Sequence, residues 1–200
     1  MGRAGVRSAR SMQVLALIGS PRKGGNSDIL VDELLAHSAR NGLEARKVYL
    51  YGHEIRPCLD CRRCQKGDHA CALPDAMPEL SRLLEAADLV VFATPVYWYG
   101  PTAKMKLLID RLRPFIASGG LRGKQAVLVA PSEEGEPCCG PLVESFRRSL
   151  DYLGMSYGGS VLARAYEKGE VADHPEELAK AAVLGASLRM AVTEHGPVAT

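Results

Sequence analysis

QVLALIGSPRKGGNS, residues Gln13–Ser27, is the stretch from which the rest of the chain can be read. Its apolar run Val14–Ile18 has the length of a strand. It breaks into a turn where Gly19, Gly24 and Gly25 alternate with the donors Ser20, Arg22, Lys23, Asn26 and Ser27. Beyond the turn, Leu30, Val31, Leu34 and Leu35 recur at helical spacing. A strand, a donor-rich glycine loop and a helix together cradle a phosphate. Glycine admits close backbone approach, and the unpaired N–H groups of a first helical turn complete the site. Neither the dinucleotide fingerprint GxGxxG nor the triphosphate loop GxxxxGK is present, which favours a small phosphate ester. The same residues also suit a basic, flexible β–α turn that holds no ligand.

Outward from this stretch the chain alternates strand and helix. Glu44–Leu50 reads as a charged strand near a sheet edge, and Asp88–Ala93 as a strand buried on both faces. Lys124–Ala130 and a glycine-interrupted Tyr157–Ala163 supply two more. Asp75 caps a helix running to about Ala86; further helices fall over Thr102–Arg113, from Leu142 to Leu153, and over Pro175–Val192. Phe115–Gly123 reads as a turn. This rhythm predicts an α/β sandwich of helices around a parallel sheet. Right-handed crossovers bring the loops that follow the strands to one edge, where ligands bind in such folds.

Two hundred residues, 46% of them hydrophobic, suffice for one core without disulfide staples. Residues 1–12 are expected to form a disordered leader and 13–192 a single domain with a cysteine-rich loop over 52–74. Residues 193–200 are expected to be a frayed tail. The net charge of +2 and the lack of a basic–aromatic stripe argue against nucleic acid. No run approaches ~18 apolar residues, so no membrane span is expected, and no secretory signal opens the chain. A cytoplasmic, reducing setting follows, and the cysteines need an explanation other than disulfides.

The loop Thr94–Gly100, TPVYWYG, places the only tryptophan and two of seven tyrosines in one turn. Pro95, Val96, Tyr97, Trp98, Tyr99 and Gly100 suit the side of a planar ligand; equally, Tyr97 and Trp98 can pack beneath the next helix. Cys58, Cys61 and Cys64 follow two-residue gaps, and Cys71 lies a few residues on, among Arg56, Arg62, Arg63 and Lys66. Such spacing suits thiolate ligation of a metal centre. A cluster, a zinc site joined by His53 or His69, and free thiols all remain open. Cys138 and Cys139 are adjacent, so a disulfide between them is strained; they read as small residues before a helix. Glu133, Glu134 and Glu136 read as facing solvent.

IGSPRKGGNS, PCLDCRRC and ADLVVFATPVYWYGPTAKMKLLIDR, in that order, resemble the NADPH-dependent FMN reductases, and within them the iron–sulfur flavoproteins. The resemblance extends from Val14 to around Ala130. It implies a flavodoxin-like three-layer sandwich with a five-stranded parallel sheet in the order 2-1-3-4-5 and a bound FMN. By that likeness Ser20, Arg22, Lys23, Asn26 and Ser27 fall on the phosphate loop and Pro95–Gly100 on the ring loop. Ser132 and Gly135 fall on the looser third loop. It implies NADPH as electron donor, a 4Fe-4S cluster on Cys58, Cys61, Cys64 and Cys71, and a homodimer or homotetramer. A quinone, a flavin or another small molecule would be the acceptor. The flavin carries the redox chemistry, so no catalytic acid or base is expected, and Asp110–Arg111 reads as a structural or interface ion pair. Two further readings are a ferredoxin-linked electron carrier and a non-enzymatic zinc or thiol sensor on the same fold.

Overall fold

Alternation within the first strand sorts the two faces of the sheet. The computed structural model describes residues 11–39 and 42–188; the expected leader before Ser11 and the expected tail lie outside the described residues, and the closing helix, expected to Val192, ends at Ser187 with Leu188 extended. Strand β1 (Met12–Ile18) turns Val14, Ala16 and Ile18 to one side and Leu15 and Leu17 to the other, as the two-residue period requires. The first set packs on Leu30, Val31 and Leu34 of α1 (Asn26–Ala39) and Ala181 of α6 (Pro175–Ser187). The second meets Leu80 and Leu84 of α2 (Met77–Ala86), Met105 and Leu108 of α3 (Ala103–Asp110), and Phe146 and Leu150 of α5 (Gly140–Tyr152). Each large apolar side chain so buried contributes about 1.5–3 kcal/mol.

The sheet is five-stranded and parallel throughout, in the order β2-β1-β3-β4-β5, with β2 at Leu43–Tyr49, β3 at Leu89–Ala93, β4 at Gln125–Ser132 and β5 at Ser156–Arg164. This is the flavodoxin-like order that the resemblance implies. β3 is buried at every position, while β2 exposes Glu44, Ala45 and Arg46 at the sheet edge. The chain leaves β1 towards β2 on one side and returns to β3 on the other, so the loops after β1 and β3 diverge at the switch point and leave a crevice.

Several boundaries differ from the expected ones. α3 stops at Asp110, and Phe115–Gly123 is not simply a turn, because Pro114 opens a separate short helix, α4 (Pro114–Ser118). β4 runs two residues further, through Pro131 and Ser132, held by Val96 N–H donating to Pro131 O and Ala165 N–H donating to Ser132 O. The ion pair expected between Asp110 and Arg111 does not form. Asp110 accepts from Lys106 one turn back, and Arg111 points inward to Asp75. Among the described residues, no helix is long and apolar enough to cross a membrane.

Candidate functional site

The glycine loop after β1 is tied down from three directions. Gly19 N–H donates to Ala93 O on β3 at 2.7 Å, and the buried Thr102 hydroxyl donates to Gly19 O at 2.6 Å. Position 19 needs glycine because a Cβ there would stand 2.9 Å from Met105 Cβ. Further on, Gly24 N–H donates to Asp28, whose carboxylate also accepts from Lys47 Nζ and the Tyr49 hydroxyl on β2. Burial by itself would raise the Asp28 pKa; the Lys47, Gly24 and Tyr49 hydrogen bonds outweigh it and hold the carboxyl below its ordinary value. Lys23 stands over the Tyr49 ring, 4.9 Å from its centroid, on the β2 side of the loop.

A cleft of about 170 Å³ lies at the carboxyl ends of the strands. Ser20, Arg22, Asn26 and Ser27 line one end; Pro95, Val96 and Tyr97 line a second wall; Pro131, Ser132 and Glu133 form a third. The three expected loops therefore meet. Within them, Lys23, Trp98, Tyr99, Gly100 and Gly135 do not line the cleft. Tyr97 and Gly100 exchange backbone hydrogen bonds of 2.9 and 3.0 Å around a two-residue turn, and its central residues, Trp98 and Tyr99, have φ of 51° and 61°. That turn aims the Trp98 ring into solvent, 96% exposed, rather than beneath α3. Gly135 instead accepts from the Ser132 hydroxyl at 3.0 Å and shapes the third loop from behind. Beside it Cys139 is fully buried, and burial pushes its thiol up to about 11.

A fourth wall, Ala165 and Tyr166, comes from the loop after β5. Arg22 donates to Tyr166 O at 3.0 Å, and the Asn26 amide donates to Glu167 O at 2.8 Å while accepting from Val171 N–H. Asn26 is thus a strut between two walls. The signal was present in the strand rhythm, since a fifth parallel strand must also end at this edge. At the phosphate-type end the Ser27 hydroxyl is buried and has no protein partner among the described residues. A buried hydroxyl of that kind costs about 1–3 kcal/mol unless something completes it. Serine hydroxyls, a helix N-terminus and Arg22 at one end of a cleft with an aromatic wall fit a flavin mononucleotide in donor chemistry.

The cysteine loop stands on other supports. Between Ile55 and Asp75 its only regular element is a single 3-10 turn, Arg63–Gln65. Arg111 reaches it from the end of α3. The guanidinium donates to Arg56 O at 2.8 Å, to both Asp75 oxygens and to Cys71 Sγ at 3.3 Å, so one side chain grips both ends of the loop. The Arg111 and Asp75 side chains are 1% and 0% exposed. Asp75 in turn accepts from the amides of Arg56 and Met77, which makes it the start signal of α2. Burial alone would raise its pKa, but the Arg111 bond and the two amides hold the carboxyl below the usual range. Arg113 pairs with Asp60 at 3.0 Å on the far side of the loop. Cys58 and Cys71 are half-buried, Cys61 exposed and Cys64 buried, all four as free thiols. Burial raises the Cys64 pKa, and the neighbouring Cys71 and Cys58 add to that effect. Among the described residues, no three His, Cys, Asp or Glu side chains converge on one metal-ion position.

Fold, cleft and loop order define a class, the FMN-dependent oxidoreductases built on a flavodoxin-like sheet. The model of the NADPH-dependent FMN reductases matches residues 12–167, and the chain belongs to that family. It is 35% identical over 179 residues to an iron–sulfur flavoprotein of Archaeoglobus fulgidus, covering 88% of this chain and 79% of the relative. It is 29% identical over 181 residues to YwqN of Bacillus subtilis, a putative NAD(P)H-dependent FMN-containing oxidoreductase, covering 86% and 96%. The solved structure of a Trp repressor binding protein from Bacillus subtilis superposes with a TM-score of 0.64 at 24% identity, covering 86% of this chain and 96% of the other.

Proposed function

We propose that the cleft binds FMN with its phosphate among Ser20, Arg22, Asn26 and Ser27 and its ring between Pro95–Tyr97 and Ser132. In this reading NADPH is the donor and a quinone, a flavin or a similar small molecule is the acceptor. One observation carries it: the buried Ser27 hydroxyl, without a protein partner, stands in a cleft that four strand-end loops enclose. When bound, FMN supplies two-electron chemistry that no side chain can supply. The chain's own part is to bind and to exclude water. Ser20, Ser27 and the first turn of α1 hold the phosphate; Pro95, Val96 and Tyr97 flank the ring; Tyr166 narrows the mouth. No acid or base is required of the protein.

We further propose that Cys58, Cys61, Cys64 and Cys71 hold a 4Fe-4S cluster, which would supply one-electron transfer. A zinc ion needs its ligands around one point, whereas a cube-type cluster takes one thiolate at each iron corner. What supports the cluster is the chemistry of the donors: four free thiols, with a buried guanidinium against Cys71 to offset the anionic charge. A partner such as ferredoxin is a second reading, favoured by the exposure of Arg56, Arg62, Arg63 and Lys66 around the loop. The proposal includes a single domain over 13–192, a cytoplasmic setting and a homodimer or homotetramer; the 96% exposed Trp98 beside the cleft supports an oligomer. The test is an FMN titration of apoprotein. Binding that Ser27→Ala and Arg22→Ala each weaken by about tenfold or more, followed by bleaching with NADPH, is expected. Equal FMN affinity in all three proteins would contradict the assigned phosphate end.

A further inference from the structure

Cys138 and Cys139, which neither the cleft nor the cysteine loop uses, gather behind the cleft's third wall. Cys138 Sγ lies 3.2 Å from Ser132 Oγ and 3.4 Å from Gly135 O. Cys139 Sγ lies 3.3 Å from the same carbonyl and 3.7 Å from the same hydroxyl. The two thiols are also within hydrogen-bond reach of each other. The Ser132 hydroxyl donates to Gly135 O as well, at 3.0 Å, so three donors crowd one carbonyl that has two lone pairs. Taking away both thiol hydrogens leaves that carbonyl satisfied by Ser132.

The two sulfurs differ in access. Cys138 is half-buried and open to a small oxidant, whereas Cys139 is fully buried, and burial holds it as a thiol. Gly140, next in the chain, has open space where a Cβ would stand, so the backbone can yield there as the sulfurs close. A disulfide between neighbours is strained, and strain makes it easy to reduce. Such a bond suits a reversible pair and not a permanent staple.

We propose that Cys138 and Cys139 form a reversible oxidation site for hydrogen peroxide, whose state reaches the third wall of the cleft through Ser132. Cys138 sulfur attacks one peroxide oxygen; the O–O bond breaks, water leaves, and Cys138 becomes a sulfenic acid. Cys139 sulfur then forms the S–S bond and displaces the hydroxyl, which departs as water with the Cys139 proton. Two thiols thereby lose two electrons and two protons, and one peroxide becomes two waters. Ser132 loses its contact with the Cys138 thiol, and FMN binding weakens. This last consequence rests on the flavin reading above.

The test treats the full-length, FMN-loaded protein with limiting hydrogen peroxide, unfolds it in urea with iodoacetamide, and maps its tryptic peptides by mass. Residues 125–147 form one such peptide, with Cys138 and Cys139 its only cysteines. This peptide is expected to lose two hydrogens, to escape alkylation, and to recover both thiols in dithiothreitol. In Cys139→Ser the chemistry stops at the sulfenic acid, and dimedone labels Cys138. Fluorescence titration, after the flavin is removed, should show FMN binding about threefold to tenfold weaker in the oxidised parent than in the reduced one. The same treatment leaves the affinity of Cys138→Ser unchanged. A peptide that stays a dithiol, passes to sulfinic or sulfonic acid, or is joined to the cysteine loop overturns the site. Equal FMN affinity before and after the disulfide forms overturns its reach to Ser132. Absence of FMN uptake by the untreated parent contradicts the proposed function instead, and the mass map still decides the site.

Discussion

The strand-end cleft and the cysteine loop lie within one molecule yet are held in different ways. Backbone groups fix the cleft: Gly19 N–H on Ala93, Val96 N–H on Pro131 and Ala165 N–H on Ser132, all at strand ends that the sheet positions anyway. The cysteine loop has little such support. A buried arginine at the end of α3 and a buried aspartate ahead of α2 close it, from positions 36 apart in the sequence. The cleft therefore rests chiefly on backbone bonds at the strand ends, and the cysteine loop chiefly on side-chain contacts, Arg111 with Asp75 foremost.

The largest expected effect separates the two. Asp75→Ala strands Arg111 as an uncompensated buried charge and removes two amide acceptors, a loss of about 3–5 kcal/mol in urea unfolding. Arg22→Ala, at an exposed position in the cleft, changes stability by no more than about 0.5 kcal/mol while weakening FMN. Equal destabilisation by the two would erase the distinction. pH sharpens it further. The Asp75 carboxyl titrates below its unfolded value, so its contribution is complete above about pH 4 and is lost as pH falls through the folded value. Asp75→Asn should therefore flatten the acid limb of the stability curve, read by thermal unfolding across pH.

Next in size is Thr102→Val, which leaves Gly19 O and Met105 N–H unpaired in the interior, at about 1–3 kcal/mol by chemical denaturation. Because Thr102 joins the first and second loops, FMN affinity should fall with it. Asn26→Ala releases the wall after β5 from the phosphate loop, and about threefold to tenfold weaker FMN binding in a fluorescence titration is expected. The smallest effect is chemical. At pH 8 iodoacetamide should modify the half-buried Cys138 and spare the fully buried Cys139 in the folded protein, as read by peptide mass mapping.

Much of the cleft was legible because its determinants are local. Val14–Ile18 and Leu89–Ala93 announce buried parallel strands by composition, and the topology rule then brings their following loops together. What escaped was set by distant partners or by backbone sign. That Lys23 stands over Tyr49 of β2, outside the lining of the cleft, needs a strand distant in sequence. That Trp98 and Tyr99 take positive φ and stand exposed beside the cleft is a matter of backbone sign. Arg111 looks paired with its neighbour Asp110, but the helix ends there, and the chain directs the guanidinium to Asp75. Tyr166 went unnoticed because no motif marks it; only the fifth strand's direction does.

The most direct test of the central claim is the visible spectrum of the full-length protein purified without oxygen, recorded before and after dithionite, with iron counted on the same sample. The account predicts a bleachable flavin spectrum at one FMN per chain, with a broader bleachable absorption and about four irons where the cysteine loop is loaded. A flavin spectrum without iron would keep the cleft and remove the cluster. A colourless protein that takes up no FMN when it is supplied would contradict the account at its centre.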